Sequence, residues 1–242
     1  MRSLAVFSVK GGVGKTALAV NLAHVSATVS KRRTLLWDLD AQGAATWTLR
    51  LAAAPNASTR KGIAGGELTP LIQNTAFAGL DVLAADRSLR NLEKQLADDD
   101  KSKRLRKLLK SLDRDYDRIV LDCPPGLTEL ATQVFRAVDL LVVPMLPSPL
   151  SIRAFDQLVD HLGGMRDAPR VLPVFTMVDR RKTLHRNTVA AWPDRPVIPY
   201  AAAIEAMAVS RQPVMARSPS SPAARALGDL WIAIERALTQ PA

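Results

Sequence analysis

Short apolar runs recur along the chain, most of them closed by an acid, a proline or a polar turn. Leu4-Ala5-Val6-Phe7 opens the series, followed by Thr34-Leu35-Leu36-Trp37, Leu80-Asp81-Val82-Leu83-Ala84 and Tyr116-Asp117-Arg118-Ile119-Val120-Leu121-Asp122. Leu140-Leu141-Val142-Val143-Pro144, Val171-Leu172-Pro173-Val174-Phe175 and a short Pro196-Val197-Ile198-Pro199 complete it. Apolar runs that do not alternate with polar residues indicate strands covered on both faces, as in a parallel sheet. Between them lie helical patterns. Ala17–Ala23 is one, and another spans about residues 150–163. A third, opened by Asp98-Asp99-Asp100, carries Leu105, Leu108, Leu109 and Leu112 at i, i+3, i+4, i+7. The last runs from Ala223 to Leu238 with Leu227, Leu230, Trp231, Ile234 and Leu238 on one face. Strands alternating with helices predict an α/β fold, a mostly parallel twisted sheet with helices on both faces. Residues 51–66 show no period and read as a mobile connection.

At 242 residues the pattern fits a single domain over 1–242, and 48% hydrophobic residues exclude a mostly disordered chain. No apolar run approaches the roughly 20 residues that span a bilayer, and no cleavable leader precedes the first strand. The single cysteine, Cys123, has no internal partner, no Cys/His cluster offers a zinc site, and a reducing cytoplasm fits this usage. The net charge of +10 changes the picture more, because it favours a polyanionic partner.

The chemistry begins directly after the first strand, at Val9-Lys10-Gly11-Gly12-Val13-Gly14-Lys15-Thr16. Strand, glycine-rich turn and helix in that order make a phosphate-binding loop. Backbone N–H groups of Gly11, Gly12, Val13 and Gly14 can converge on an anion at a helix N-terminus. Lys15 would reach the β- and γ-phosphates and the Thr16 hydroxyl would ligate Mg²⁺. The pattern departs from the general one at Val9, which stands where a glycine is usual, and adds a second lysine, Lys10. Asp38, Asp40 and Asp122 close predicted strands, at the sheet edge where open parallel sheets bind ligands. Such carboxylates can hold the water shell of a magnesium ion.

The Lys-Gly-Gly-Val-Gly-Lys-Thr string resembles the deviant P-loop of the ParA/MinD family of ATPases. Asp38-Leu39-Asp40-Ala41-Gln42-Gly43 is similar to that family's Asp-x-Asp-Pro-Gln-Gly segment, and Asp122-Cys123-Pro124-Pro125-Gly126 to its Asp-x-Pro-Pro-Gly switch. Thr176–Arg180 and Ile198-Pro199 resemble later segments near the nucleotide base. The resemblance implies a P-loop NTPase fold and a Mg²⁺-dependent ATPase that forms a homodimer around ATP. It implies that Lys10 contacts the partner's phosphates, that Asp40 positions the attacking water, and that Asp38 and Asp122 support the metal through water. It places Ala17 where a second threonine is usual, near the α-phosphate, and Pro199 near the base. A ParB-like partner would stimulate the slow hydrolysis, and the cargo would be a plasmid or chromosome, or a protein assembly such as a microcompartment or chemosensory array.

For duplex DNA the candidate contacts are Arg180, Arg181, Lys182, Arg186, Arg211 and Arg217, which would meet phosphates without reading bases. Residues 101, 103, 104, 106, 107 and 110 form a further basic group, read equally well as a solvated helix face. A MinD-like membrane-cycling regulator would need a basic polar face on its C-terminal helix. Here Arg225, Asp229, Glu235 and Arg236 leave that face near neutral, so the helix is expected to dock on the domain body. An iron–sulfur reductase would need bridging cysteines, and Cys123 reads as a small buried hydrophobe.

Overall fold

The computed structural model describes residues 1–54, 58–91 and 104–239. Eight strands form one sheet: β1 (Arg2–Val6), β2 (Thr34–Asp38), β3 (Ile72–Asn74), β4 (Leu80–Leu83), β5 (Arg118–Asp122), β6 (Leu140–Met145), β7 (Arg170–Val178) and β8 (Val197–Pro199). Their order is β3-β4-β2-β5-β1-β6-β7-β8, parallel throughout except where β3 pairs antiparallel with β4. The helices are α1 (Lys15–Thr28), α2 (Ala44–Thr48), α3 (Thr59–Gly65), α4 (Arg104–Ser111), α5 (Glu129–Ala137), α6 (Pro149–Gly163) and α7 (Thr183–Ala190). Three short turns of helix follow, α8 (Ala202–Glu205), α9 (Met207–Ser210) and α10 (Val214–Arg217), and α11 (Pro222–Thr239) closes the fold.

Successive strand residues point to opposite faces, and both faces are apolar here. Leu4, Val6, Leu36, Val120 and Val142 pack with α1 and α11. Ala5, Phe7, Leu35, Trp37, Ile119 and Leu121 pack with α4, α5 and α6. Phe7 meets Phe135 edge to face at 4.8 Å. Covering both faces explains why the strands read as unbroken apolar runs.

The closing helix behaves as its pattern predicts. Leu227, Leu230, Trp231, Ile234 and Leu238 are all buried in the core. The Trp231 indole donates to Ser30 Oγ at 2.8 Å, and Arg118 holds Glu235 through two hydrogen bonds of 2.7 and 2.8 Å. No helix among the described residues is long and apolar enough to cross a membrane.

Two expectations need correction. Residues 51–66 are not a plain connection: α3 occupies Thr59–Gly65, started by the Ser58 hydroxyl accepting from the Lys61 amide and stopped at left-handed Gly66. Ile63 anchors it in the core, and Asp86 accepts the Thr59 amide at 2.6 Å. One buried position per turn is too little periodicity to read in a helix this short. The second miss is β3, a three-residue edge strand whose only signal is its pairing with β4. Asp98–Asp100, together with Lys101 and Lys103, lie outside the described residues.

His24 on α1 is 5% exposed and packs edge to face on Phe77 at 4.8 Å. Burial lowers its pKa from 6.5 to about 4. The unfolded chain therefore binds the proton more tightly between those values, so His24 costs stability as pH falls from 6.5 towards 4. Urea unfolding at pH 7 and pH 5 should show the wild type losing about 2 kcal/mol more on acidification than His24→Leu.

Candidate functional site

The central strand β1 delivers the chain into Phe7–Gly14, which turns back into α1. Gly12 (φ 75°) and Gly14 (φ 88°) take left-handed conformations that β-carbons disfavour, and Gly14 caps α1. No side chain caps that helix and its first turn carries no acid, so its leading N–H groups remain available to an anion. A β-carbon at Gly11 or Gly12 would meet nothing within 4 Å, which leaves the loop's cradle open. Val13 folds inward, 1% exposed, and its carbonyl accepts from Thr176 Oγ1 on β7 at 2.8 Å. Lys15 is also buried, with Nζ donating to the Lys10 carbonyl at 3.4 Å. Desolvation lowers its pKa, while Asp122 and Asp40 pull the other way. The half-buried Lys10 has its amide on Ser8 Oγ at 3.3 Å.

Strand register brings the acids to this loop. Val6 pairs with Asp122, and Asp122 with Asp38, so β1, β5 and β2 end level. Asp122 is 1% exposed, and neither of its oxygens has a partner in hydrogen-bonding geometry. Desolvation first, then repulsion from Asp38, pushes its pKa up to about 8, against the nearby Thr16 hydroxyl and Lys15. A buried carboxylate without a partner, beside a threonine hydroxyl and a phosphate loop, fits the hydrated shell of a hard divalent cation. The described residues contain no group of three or more His, Cys, Asp or Glu able to cage a metal alone.

Asp38 is fully buried and already occupied. Its Oδ2 accepts from the Thr46 amide at 2.8 Å and the Thr46 hydroxyl at 2.7 Å, and its Oδ1 from the Asp40 amide at 3.2 Å. Asp40 is half-buried and accepts the Gln42 amide at 2.9 Å. Asp38 thus shapes the loop on which Asp40 sits. Cys123 is buried with its thiol pKa pushed well up, which makes it a poor nucleophile.

On the other side of the loop an apolar pocket opens between Gly14, Ala17, Met177, Pro199, Tyr200 and Ile204. Met177 has φ 54° at the register shift between β7 and β8. Ala17 and Pro199 therefore share one cavity although far apart in sequence. Two residues build the site through contacts that the sequence did not reveal. Thr176 pins the loop, and Asn21, 1% exposed, donates to the Ala17 carbonyl at 2.7 Å and accepts the Val214 amide at 2.8 Å. A lone amide inside an apolar helical run was the available signal for Asn21.

Arg180, Arg181 and Lys182 are exposed in the turn between β7 and α7, with Arg186 on α7. Arg181 chelates Asp179 at 2.9 Å, and Arg186 donates to the Arg180 carbonyl at 3.0 Å. His185 Nδ1 accepts the Asp179 amide at 3.0 Å, so this turn is held rather than loose. Arg217 is exposed at the end of α10. Arg211 differs. Its guanidinium lies over the Trp47 ring at 3.8 Å and its Nε donates to the Trp47 carbonyl at 2.8 Å.

These contacts separate the two loop acids energetically. Asp38→Ala strips acceptors from buried Thr46 and should cost about 2–3 kcal/mol in urea unfolding. Asp40→Ala, half-buried with a single turn hydrogen bond, should cost about 1 kcal/mol or less.

The AAA domain family matches residues 1–171. The chromosome partitioning protein ParA of Caulobacter vibrioides is 33% identical over 195 residues, 76% of this chain and 72% of that protein. The sporulation initiation inhibitor Soj of Bacillus subtilis is 32% identical over 191 residues, covering 75% and 74%. Among solved structures, an ATP complex of a McdA variant from Cyanothece superposes with a TM-score of 0.84 at 18% identity. It covers all of this chain and 98% of its own, a likeness of fold.

Proposed function

The chain belongs to the ParA/MinD family of P-loop ATPases, and from that premise we propose that it is an ATP-dependent DNA partition ATPase. It closes into a homodimer on ATP, binds duplex DNA without sequence preference and segregates its cargo as a ParB-like partner stimulates hydrolysis. The observation that carries this reading is the open phosphate loop beside the buried Asp122 carboxylate and its neighbouring Thr16 hydroxyl. Relatives named for chromosome partitioning favour DNA as the cargo.

In this reading the N–H groups of residues 11–14 and Lys15 take the β- and γ-phosphates, and the purine ring enters the pocket between Ala17 and Pro199. Thr16 would ligate Mg²⁺ directly, with Asp122 and Asp38 behind its water shell. The ion would supply positive charge to the γ-phosphoryl oxygens as the bond to the leaving oxygen lengthens. Asp40 orients the attacking water, and the products are ADP and phosphate. Lys10 reaches across to the partner's phosphates, so assembly senses the nucleotide. Burial already weakens the charge preference of Lys15, and an incoming phosphate would restore it.

A dimer doubles the basic surface, which links DNA affinity to ATP. Arg180, Arg181, Lys182 and Arg186 are the leading contacts, with Arg217 apart from them and Arg211 engaged first by Trp47. The protein would work on nucleoid DNA in the cytoplasm.

Sheared random-sequence DNA should be retained only with ATP·Mg²⁺, and less so as salt rises. Equal binding with ADP·Mg²⁺, or none with ATP while hydrolysis persists, would overturn the DNA assignment. Lys15→Ala should abolish ATP binding in calorimetry. Lys10→Ala should bind ATP yet stay monomeric by light scattering, and a stable ATP dimer would remove its role across the interface.

A further inference from the structure

Arg50 and Arg211 are two of only four non-glycine residues with positive φ among the described residues, at 61° and 51°. That conformation favours glycine, so each arginine needs a compensating contact. Each finds it in the other's turn. Arg50 sends Nη2 to the Ser210 carbonyl at 3.1 Å and Nε to the Arg211 carbonyl at 3.4 Å. Arg211 returns Nε to the Trp47 carbonyl at 2.8 Å, an oxygen that also accepts the Arg50 amide at 3.0 Å. The Arg211 guanidinium covers the Trp47 ring at 3.8 Å, although that ring is 57% exposed. The two strained turns, 161 residues apart, form a reciprocal clasp.

The clasp sits between two parts of the nucleotide site. On one side Trp47 follows Thr46, which Asp38 grips through both amide and hydroxyl. The Trp47 amide donates to the Gly43 carbonyl at 2.8 Å, and the Gly43 amide to the Asp40 carbonyl at 2.8 Å. On the other side the 210–214 turn is tied to α1 by Asn21, which binds Met207 Sδ at 3.0 Å and the Val214 amide at 2.8 Å. The clasp thus closes a ring from the phosphate-loop helix, through α9, to the loop carrying Asp40.

We infer that Arg50 and Arg211 are positioning residues for hydrolysis: together they hold the Asp38–Thr46 loop, and so Asp40, in register with the phosphate loop. The inference rests on the ATPase reading for its catalytic consequence, though not for the loop's rigidity. Neither arginine touches the reacting atoms. A unit that shares its contacts fails as a whole when either member is lost, so the two substitutions should not add.

The test uses Arg50→Asn, Arg211→Asn and the double variant, because asparagine tolerates left-handed backbone but is too short to reach across. Amide hydrogen exchange of residues 39–48 in nucleotide-free protein should speed up about tenfold or more in each single variant, with no further gain in the double. Exchange elsewhere in the sheet and the thermal midpoint should stay near wild type. With ATP·Mg²⁺ and no DNA, kcat should fall about tenfold while the Kd for a fluorescent ATP analogue and ATP-driven dimerisation hold. Unchanged exchange in residues 39–48 would overturn the clasp. A loosened loop with unchanged kcat, or a kcat loss that merely tracks lost dimerisation, would overturn the positioning role. A wild type that hydrolyses no ATP would sink the ATPase reading instead, and exchange would still decide the clasp.

Discussion

A desolvated carboxylate governs this molecule. Asp122 is held buried at the end of the β5 strand, close to a second buried acid, and its charge is strongly disfavoured there. Two nearby groups offset this, the Lys15 ammonium and the Thr16 hydroxyl, and both belong to the phosphate loop. In the proposed nucleotide complex, a divalent cation beside the Asp122 carboxylate and the Thr16 hydroxyl would relieve the remainder. The loop, its lysine and threonine, and the acid are therefore not separate features placed near each other. Each is energetically incomplete alone.

What makes that arrangement possible is strand register. Because β1, β5 and β2 end level, one edge of the sheet carries the loop and both buried acids within the span of three strands. The helices that cover the sheet then serve the site as well as the core. The helix α1 carries the loop at its start and Asn21 nearly two turns further on, and Asn21 ties it to the 207–214 segment. Asp38 instead directs its acceptors to Thr46 and the Asp40 amide. Its effect is on the loop's shape.

The surface follows a different logic. The basic turn at Arg180–Lys182 is braced by Asp179 and His185, so its charges are presented on a fixed frame. Arg181 and Arg186 also hydrogen-bond within the chain, but Arg211 in addition stacks its guanidinium on Trp47. Net charge says how many arginines there are; packing says which of them are free to meet a phosphate.

Much was legible from the residues in order. The phosphate loop, the strand-ending acids and the docked C-terminal helix are local patterns: glycine spacing, acids after apolar runs, and one apolar helix face. Local patterns survive in sequence because backbone conformation and side-chain alternation act over a few residues. The short helix α3 and the edge strand β3 were missed for the same reason, since their evidence is a distant partner such as Asp86 or β4. Only the tertiary structure could decide that Thr176 anchors Val13, that Ala17 and Pro199 line one pocket, and that Arg50 and Arg211 face each other. Those facts depend on contacts between residues far apart in the chain, whose cost and reward appear only when the sheet is assembled and water is excluded.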